Sequence, residues 1–237
     1  MIVIGLSGNI SAGKDTVADI LVRDHGFTKM SFADPVKEML RDLDPIVGYD
    51  IYQICSCEEC EPEVEELRLS DLYLNGYDDE TIKDSPWGDE VRGLWQRLGT
   101  EALRTRDPEF WVNEALEALG RQASERVVFT DVRFPNEAQM IYNLAGPFFA
   151  AGELSFSKIN SSVWRITRTL DDEEADVHES EQYAGLMEEE ITIVNDATLE
   201  ELGEAVGIAL GYAEQVEDPY EQYELWTDTT EEAPLER

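Results

Sequence analysis

Residues 2–16 read Ile2-Val3-Ile4-Gly5-Leu6-Ser7-Gly8-Asn9-Ile10-Ser11-Ala12-Gly13-Lys14-Asp15-Thr16, an apolar run that opens into a glycine-bounded loop closed by a lysine. The stretch from Val17 to Val22 then has the apolar spacing of an amphipathic helix. Strand, loop and helix in that order leave little freedom. They place backbone N–H groups and the positive end of a helix around an anion. Gly8 and Gly13 let the chain turn inward, and Lys14 is placed to reach the outer phosphates of a nucleotide. The expected phosphate-binding set is Gly8, Ala12, Gly13, Lys14, Asp15 and Thr16. One feature departs from the G-x-x-x-x-G-K-[ST] pattern: Asp15 stands where a metal-binding hydroxyl is expected, and Thr16 follows one place later. The reading is a nucleotide-binding chain.

Charge narrows the partners. Fifty-three acidic residues face 18 basic ones, a net charge of −35, and only five of the basic residues are lysines. Such a surface repels nucleic acid and anionic membranes, so neither is an expected partner. Any phosphate site must then be assembled locally from the few cations present. The acidity itself reads as a strongly solvated surface, ahead of an acidic face for a partner, with a high-salt setting left open. No stretch has the length and apolarity of a membrane span. Met1 leads directly into the first strand, so no export signal is expected and the expected compartment is a cytoplasm.

Five strand-like runs recur: Ile2–Leu6, Phe27–Phe32, Arg126–Val132, Val163–Arg168 and Ile191–Val194. Helical patterns fall near 14–24, 34–43, 88–105, 108–120, 135–145 and 198–211. The alternation predicts an α/β fold, a parallel five-stranded sheet covered by helices on both faces. Ligands of such sheets sit outside the carboxyl ends of the strands, which directs attention to the residue after each strand. Residues 44–87 break the pattern and are expected to be an insertion after the second strand, in a domain spanning 1–212. Residues 213–237 hold nine acidic residues, one arginine and the aromatics Tyr220, Tyr223 and Trp226; they are expected to form a disordered tail.

Several strand ends carry chemistry. Asp34 precedes Pro35, a pairing typical of a helix N-cap, and Asp34 with Lys37 is equally suited to face a substrate. The third strand ends at Asp131, a usual place for a carboxylate that holds magnesium through water. Arg133, two residues on, suits a bidentate phosphate clamp. Arg97, Glu101 and Arg104 share one face at α-helical spacing, and Gly99 among them suggests a close approach or a kink. Arg165 and Arg168 flank the fourth strand, and His178-Glu179-Ser180-Glu181 reads as a capping box or a catalytic cluster.

Taken together these segments resemble the deoxynucleoside monophosphate kinases of tailed bacteriophages, within the P-loop nucleoside monophosphate kinase group. The resemblance rests on GKDT, SFADPVK, RLSDL, LWQRLGTEALR followed by DPEFWV, TDVRFPNEA, RITR, HESE and IVND, in that order over most of residues 2–211. It implies transfer of the γ-phosphate of ATP to a deoxynucleoside monophosphate, in a host cytoplasm if the source is viral. It also implies that Asp15-Thr16 is a normal ending of the loop. Lys14, Asp131, Arg133 and Arg97 become the expected catalytic set, with Mg²⁺ placed by Asp15 or Thr16 and by Asp131, partly through water. The implied acceptor set is Phe32, Ala33, Asp34, Lys37, Arg97, Gly99, Thr100, Trp111, Arg133 and Glu137, joined by Arg168; Phe32 and Trp111 pack on the base. The insertion is expected to close over the site and exclude water. A homodimer is left open. The rival readings are a P-loop kinase with another small acceptor, such as dephospho-coenzyme A, and a nucleotide-binding protein without catalysis.

The insertion contains Cys55, Cys57 and Cys60, three thiols at C-x-C-x₂-C spacing. A structural zinc would need a fourth ligand, and no histidine lies nearby in sequence. Glu58, Glu59 and Glu61 raise thiol pKa values by like-charge repulsion. Reduced, metal-free cysteines are therefore preferred over zinc.

Overall fold

In the computed structural model the described residues are 1–52, 63–150, 153–156, 159–168 and 190–215, with 52, 147–150, 153–156 and 215 described as backbone only. The chain divides into two compact units, Met1–Ser31 with Arg121–Arg237, and Phe32–Gly120. The excursion from the sheet is thus wider than the 44–87 read from sequence.

The first unit is built on β1 (Ile2–Ser7), β2 (Thr28–Met30), β5 (Arg126–Phe129), β8 (Asn160–Thr167) and β9 (Ile191–Val194). All pair in parallel, in the order β2-β5-β1-β8-β9. A parallel sheet needs both faces covered, and the alternation along β1 shows how this is met. Ile4 and Leu6 point into a core shared with Val17, Ala18, Ile20 and Leu21 of α1 (Lys14–His25) and with Leu202, Val206, Ala209 and Leu210 of α8 (Leu199–Gln215). Gly5 points the other way, against Ile141 of α7 (Pro135–Leu144), where a side chain would collide. The covered parallel sheet agrees with the expectation. β1 lies between β5 and β8, and the chain leaves it toward β2 on one side before returning to β8 on the other. That reversal makes the carboxyl end of β1 a topological switch point, where such sheets bind ligands.

Two local departures belong to this unit. A hairpin of β6 (Pro147–Ala150) and β7 (Glu153–Phe156) precedes β8 and was not anticipated. The last helix, α8, continues to Gln215; the rest of the expected disordered tail lies outside the described residues. Along α8, a Cβ added at Gly203, Gly207 or Gly211 meets nothing within 4 Å among the described residues. Glycine inside a helix costs roughly 0.5–1 kcal/mol relative to alanine. Gly207→Ala is expected to recover about that much and raise Tm by about 1–4 °C in a thermal melt. A fall in Tm would mean that another surface occupies this face.

The second unit packs α2 (Asp34–Leu43), the antiparallel pair β3 (Ile46–Tyr52) and β4 (Glu63–Arg68), α3 (Leu69–Leu74), α4 (Asp79–Lys83), α5 (Gly88–Gln96), a π-helix (Arg97–Arg104) and α6 (Phe110–Gly120). Its core gathers Leu40, Val47, Leu67, Leu69, Leu72, Ile82 and Val91. The expected single helix over 88–105 is therefore α-helical only to Gln96. The indole N–H of Trp111 donates to the Gly99 carbonyl at 2.7 Å, and an inserted donor of this kind competes with the i→i−4 ladder. Thr105 closes the turn by donating its hydroxyl to the Thr100 carbonyl, five residues back, at 3.0 Å. Among the described residues no helix is long and apolar enough to cross a membrane.

Candidate functional site

The loop after β1 has the conformation its glycines predict. Gly8 and Gly13 take positive φ values of 134° and 100°, which side-chain-bearing residues rarely adopt. Space is also forbidden at both: a Cβ on Gly8 would strike the Ile166 carbonyl oxygen, and one on Gly13 would strike the side-chain nitrogen of Asn195. Ala12 is fully buried and anchors the loop in the core. Ser11 sits at φ 62° without being glycine, so strain is stored at the tip. Lys14 opens α1, and its ammonium donates to the carbonyls of Gly8 and Asn9, each at 2.7 Å. The backbone N–H groups of Gly13, Asp15 and Thr16 donate to no protein acceptor among the described residues. Free amides at the start of a twelve-residue helix are a ready anion site.

These residues open into a cleft of about 420 Å³ lined by Ser11, Gly13, Lys14, Asp15, Thr16, Arg168, Asn195, Leu199 and Leu202. The volume is within the usual range of small-molecule sites. Every side chain named here belongs to the first unit. Arg168, assigned to the acceptor from sequence, instead lines the cleft of the phosphate loop; the short step from Thr167, the last residue of β8, carries it there. Arg165 lies within β8, opposite Ser7 and Thr192, rather than flanking it. Sequence reading missed Asn195, Leu199 and Leu202. Asn195 carried one signal, since it is the first residue after β9. Leu199 is 59% exposed although large and apolar, the kind of surface a nucleoside can cover.

At the same carboxyl edge, Thr130 donates its amide to the Met30 carbonyl at 3.1 Å, drawing the ends of β5 and β2 together. The Ser31 hydroxyl then donates to Asp131 Oδ2 at 2.7 Å. Asp131 is half-buried and Arg133 exposed. Glu137, expected to touch the acceptor, is 2% exposed. Its Oε2 accepts the amides of Arg133 at 2.8 Å and Phe134 at 3.0 Å. That carboxylate holds the turn entering α7, as an acidic N3 residue does.

The second unit holds the remaining residues of the expected acceptor set. Phe32 is buried at 3% exposure and Trp111 at 2%. Trp111 also packs edge-on against Phe110, with ring centroids 4.8 Å apart, and spends its N–H on Gly99. Neither ring is presented to stack on a base. Gly99 is no gap for a ligand either: a Cβ there would meet Val36 at 3.5 Å, an ordinary contact. Ala33, not Asp34, is the N-cap of α2, and it has no side chain that could make a capping bond. Asp34 lies in the first turn with its carboxylate 3.6 Å from the Lys37 ammonium. Lys37 is also 3.7 Å from Asp79 Oδ2, and Arg41 and Tyr73 both donate to Asp79. Burial works to raise the Asp79 pKa, but the hydrogen bonds from Arg41 and Tyr73 and the charge of Lys37 outweigh it and hold the carboxyl below its usual range. Arg97 pairs with Glu90 at 2.9 Å in exposed positions. Because residues 97–104 form a π-helix, Arg97, Glu101 and Arg104 do not share a face through α-helical spacing. Thr100 offers its carbonyl to Thr105. Cys55, Cys57 and Cys60, with the zinc weighed for them, and the His178–Glu181 segment lie outside the described residues.

No protein-family model matches the chain. It is 29% identical over 163 residues to the "Putative deoxynucleotide monophosphate kinase" of Acanthamoeba polyphaga mimivirus, covering 62% of this chain and 71% of that protein. The crystal structure of TT1252 from Thermus thermophilus aligns over 89% of this chain and 97% of its own with 16% identity and a TM-score of 0.40. No conclusion rests on that loose likeness.

Proposed function

We propose that the chain is a phosphotransferase that moves the γ-phosphate of ATP to a deoxynucleoside monophosphate. The observation that carries the reading is the loop itself. Three amides without an acceptor among the described residues and the Lys14 ammonium gather at the N-terminus of α1, at the switch point of a parallel sheet. The sequence likeness to a viral protein named for deoxynucleotide monophosphate phosphorylation supports the same class.

The chemistry asks for alignment and charge neutralisation more than for covalent work. In this reading the amides of Gly13, Asp15 and Thr16 take phosphate oxygens, and Lys14 leaves the carbonyls of Gly8 and Asn9 to follow the outer phosphates. Arg168 and the apolar Leu199 and Leu202 serve the donor nucleoside instead of the acceptor. Arg133 and Arg97 stay assigned to the acceptor phosphate, and Asp34 and Lys37 stay in the acceptor set. The donors available for a magnesium ion are hard oxygens: Asp15 and Thr16 line the cleft, and Asp131 carries a carboxylate at the same sheet edge. Mg²⁺ favours such donors together with substrate phosphates and water, not an all-protein cage. No group of three or more His, Cys, Asp or Glu side chains placed to hold a metal ion occurs among the described residues. When bound, the ion would supply neutralisation of the phosphate charge.

A coupled assay with ATP, Mg²⁺ and each of dAMP, dCMP, dGMP and dTMP tests the proposal. The expected result is ADP formation that depends on at least one of the four acceptors. ATP binding without transfer to any of them overturns the proposal.

A further inference from the structure

The side chain of Asn195 stands against the phosphate loop from the opposite end of the chain, 183 residues away from Ala12. Its carboxamide Nδ2 donates to the Ala12 carbonyl at 2.9 Å. The backbone of Asn195 is itself pinned, because its N–H donates to the Thr167 carbonyl at 2.8 Å, extending the pairing of β9 with β8 by one residue. The carboxamide is therefore carried by the sheet and not by a free loop.

The consequence follows from peptide geometry. The chain has no cis peptide among its described residues, and in a trans peptide the C=O and N–H point in opposite directions from one plane. The Ala12 carbonyl and the Gly13 N–H belong to the same peptide. Holding that carbonyl toward Asn195 turns the Gly13 N–H away from Asn195, and this N–H has no protein acceptor among the described residues. The fit is close enough to dictate the neighbouring residue, since any Cβ on Gly13 would collide with the same Nδ2. Asn195 also lines the cleft, beside Lys14, Asp15 and Arg168.

We infer that Asn195 is a positioning residue for the donor: it fixes the Ala12–Gly13 peptide so that the Gly13 amide is presented to a phosphate oxygen. The inference rests on the reading of this cleft as the ATP site. It assigns a role to the residue after β9 that is independent of which acceptor is used.

The test is ATP affinity, measured by calorimetry on the full chain, for the wild type, Asn195→Ala and Asn195→Asp. Losing one orienting hydrogen bond corresponds to about a tenfold weaker ATP complex in Asn195→Ala. Asn195→Asp keeps the shape but, when ionised, turns an acceptor on an acceptor and a negative charge toward phosphate. At pH 8 it is expected to weaken ATP binding by about a hundredfold. As the pH falls toward the carboxyl's own titration range the protonated form regains a donor, so the ratio to wild type at the same pH should shrink. Lys14, Asp15 and Arg168 face the cleft in both proteins, and taking the ratio removes their common effect. A structural brace alone would lower Tm without producing this pH-dependent ratio. Thermal melts establish that each variant is folded, and Asn195→Asp preserves side-chain volume should Asn195→Ala fail to fold. Affinities within twofold of wild type for the folded variants, or an Asn195→Asp ratio that does not change with pH, overturn the inference. If wild type binds ATP and the variants behave as stated while no acceptor is phosphorylated, the kinase proposal falls and the role of Asn195 stands. If transfer proceeds but the variants bind ATP normally, the reverse holds. A wild type that does not bind ATP overturns both.

Discussion

Lys14→Ala is expected to lower kcat/KM by a hundredfold or more while leaving the fold in place. Lys14 is one of only five lysines in a chain of net charge −35, so no other lysine in the described loop can replace it. Its ammonium rests on two carbonyls at the mouth of the loop, and its side chain adds nothing to the apolar core. Removing it takes away charge stabilisation that grows as the phosphoryl group moves, an effect of the size seen when an oxyanion-stabilising donor is deleted, about 2.7–4 kcal/mol. One of the two carbonyl contacts is exposed and the other part-buried, and net contributions of such bonds are small, so the melting temperature should move by a few degrees at most. Steady-state kinetics and a thermal melt on the same preparation check both halves. Turnover near wild type would remove Lys14, and with it the phosphate-loop assignment, from the mechanism.

What the sequence made legible was the part written locally. The strand-loop-helix of residues 2–25 is specified by apolar alternation, two glycines at positive φ and a helical period, all read without tertiary knowledge. The five strands were equally legible as apolar runs, although β2 and β5 are shorter than their patterns suggested. The misreadings have tertiary causes. Trp111 and Phe32 were expected to pack on the acceptor base; both are buried within the second unit, and burial depends on the whole unit. Arg97, Glu101 and Arg104 were placed on one face by assuming 3.6 residues per turn, but Trp111 takes the Gly99 carbonyl and the segment winds as a π-helix. Glu137 looked available because its partners are backbone amides, which leave no trace in the one-letter sequence. Asn195 was missed for the complementary reason: its meaning lies in a contact with Ala12 that sequence separation conceals.

Asp131→Asn is expected to cost about a hundredfold in kcat, roughly 2.7 kcal/mol of transition-state stabilisation, and to raise the Mg²⁺ concentration needed for half-maximal rate. The substitution is isosteric and can keep the Ser31 contact. The Ser31 hydroxyl donates to Asp131 Oδ2 at 2.7 Å, and an amide oxygen in that place still accepts the bond. What disappears is the negative charge at the carboxyl edge of β5, the strand paired beside β1. In the proposed mechanism that charge would help hold Mg²⁺, and a neutral amide is a much weaker partner for a hard cation. Retained structure with altered Mg²⁺ dependence therefore separates a metal-holding role from a bracing one. A bracing role would show instead as a lower Tm and an unchanged Mg²⁺ profile, most visibly in Ser31→Ala, which breaks the hydrogen bond and keeps the charge. Rates for Asp131→Asn within threefold of wild type at all Mg²⁺ concentrations would move the metal assignment wholly to Asp15 and Thr16.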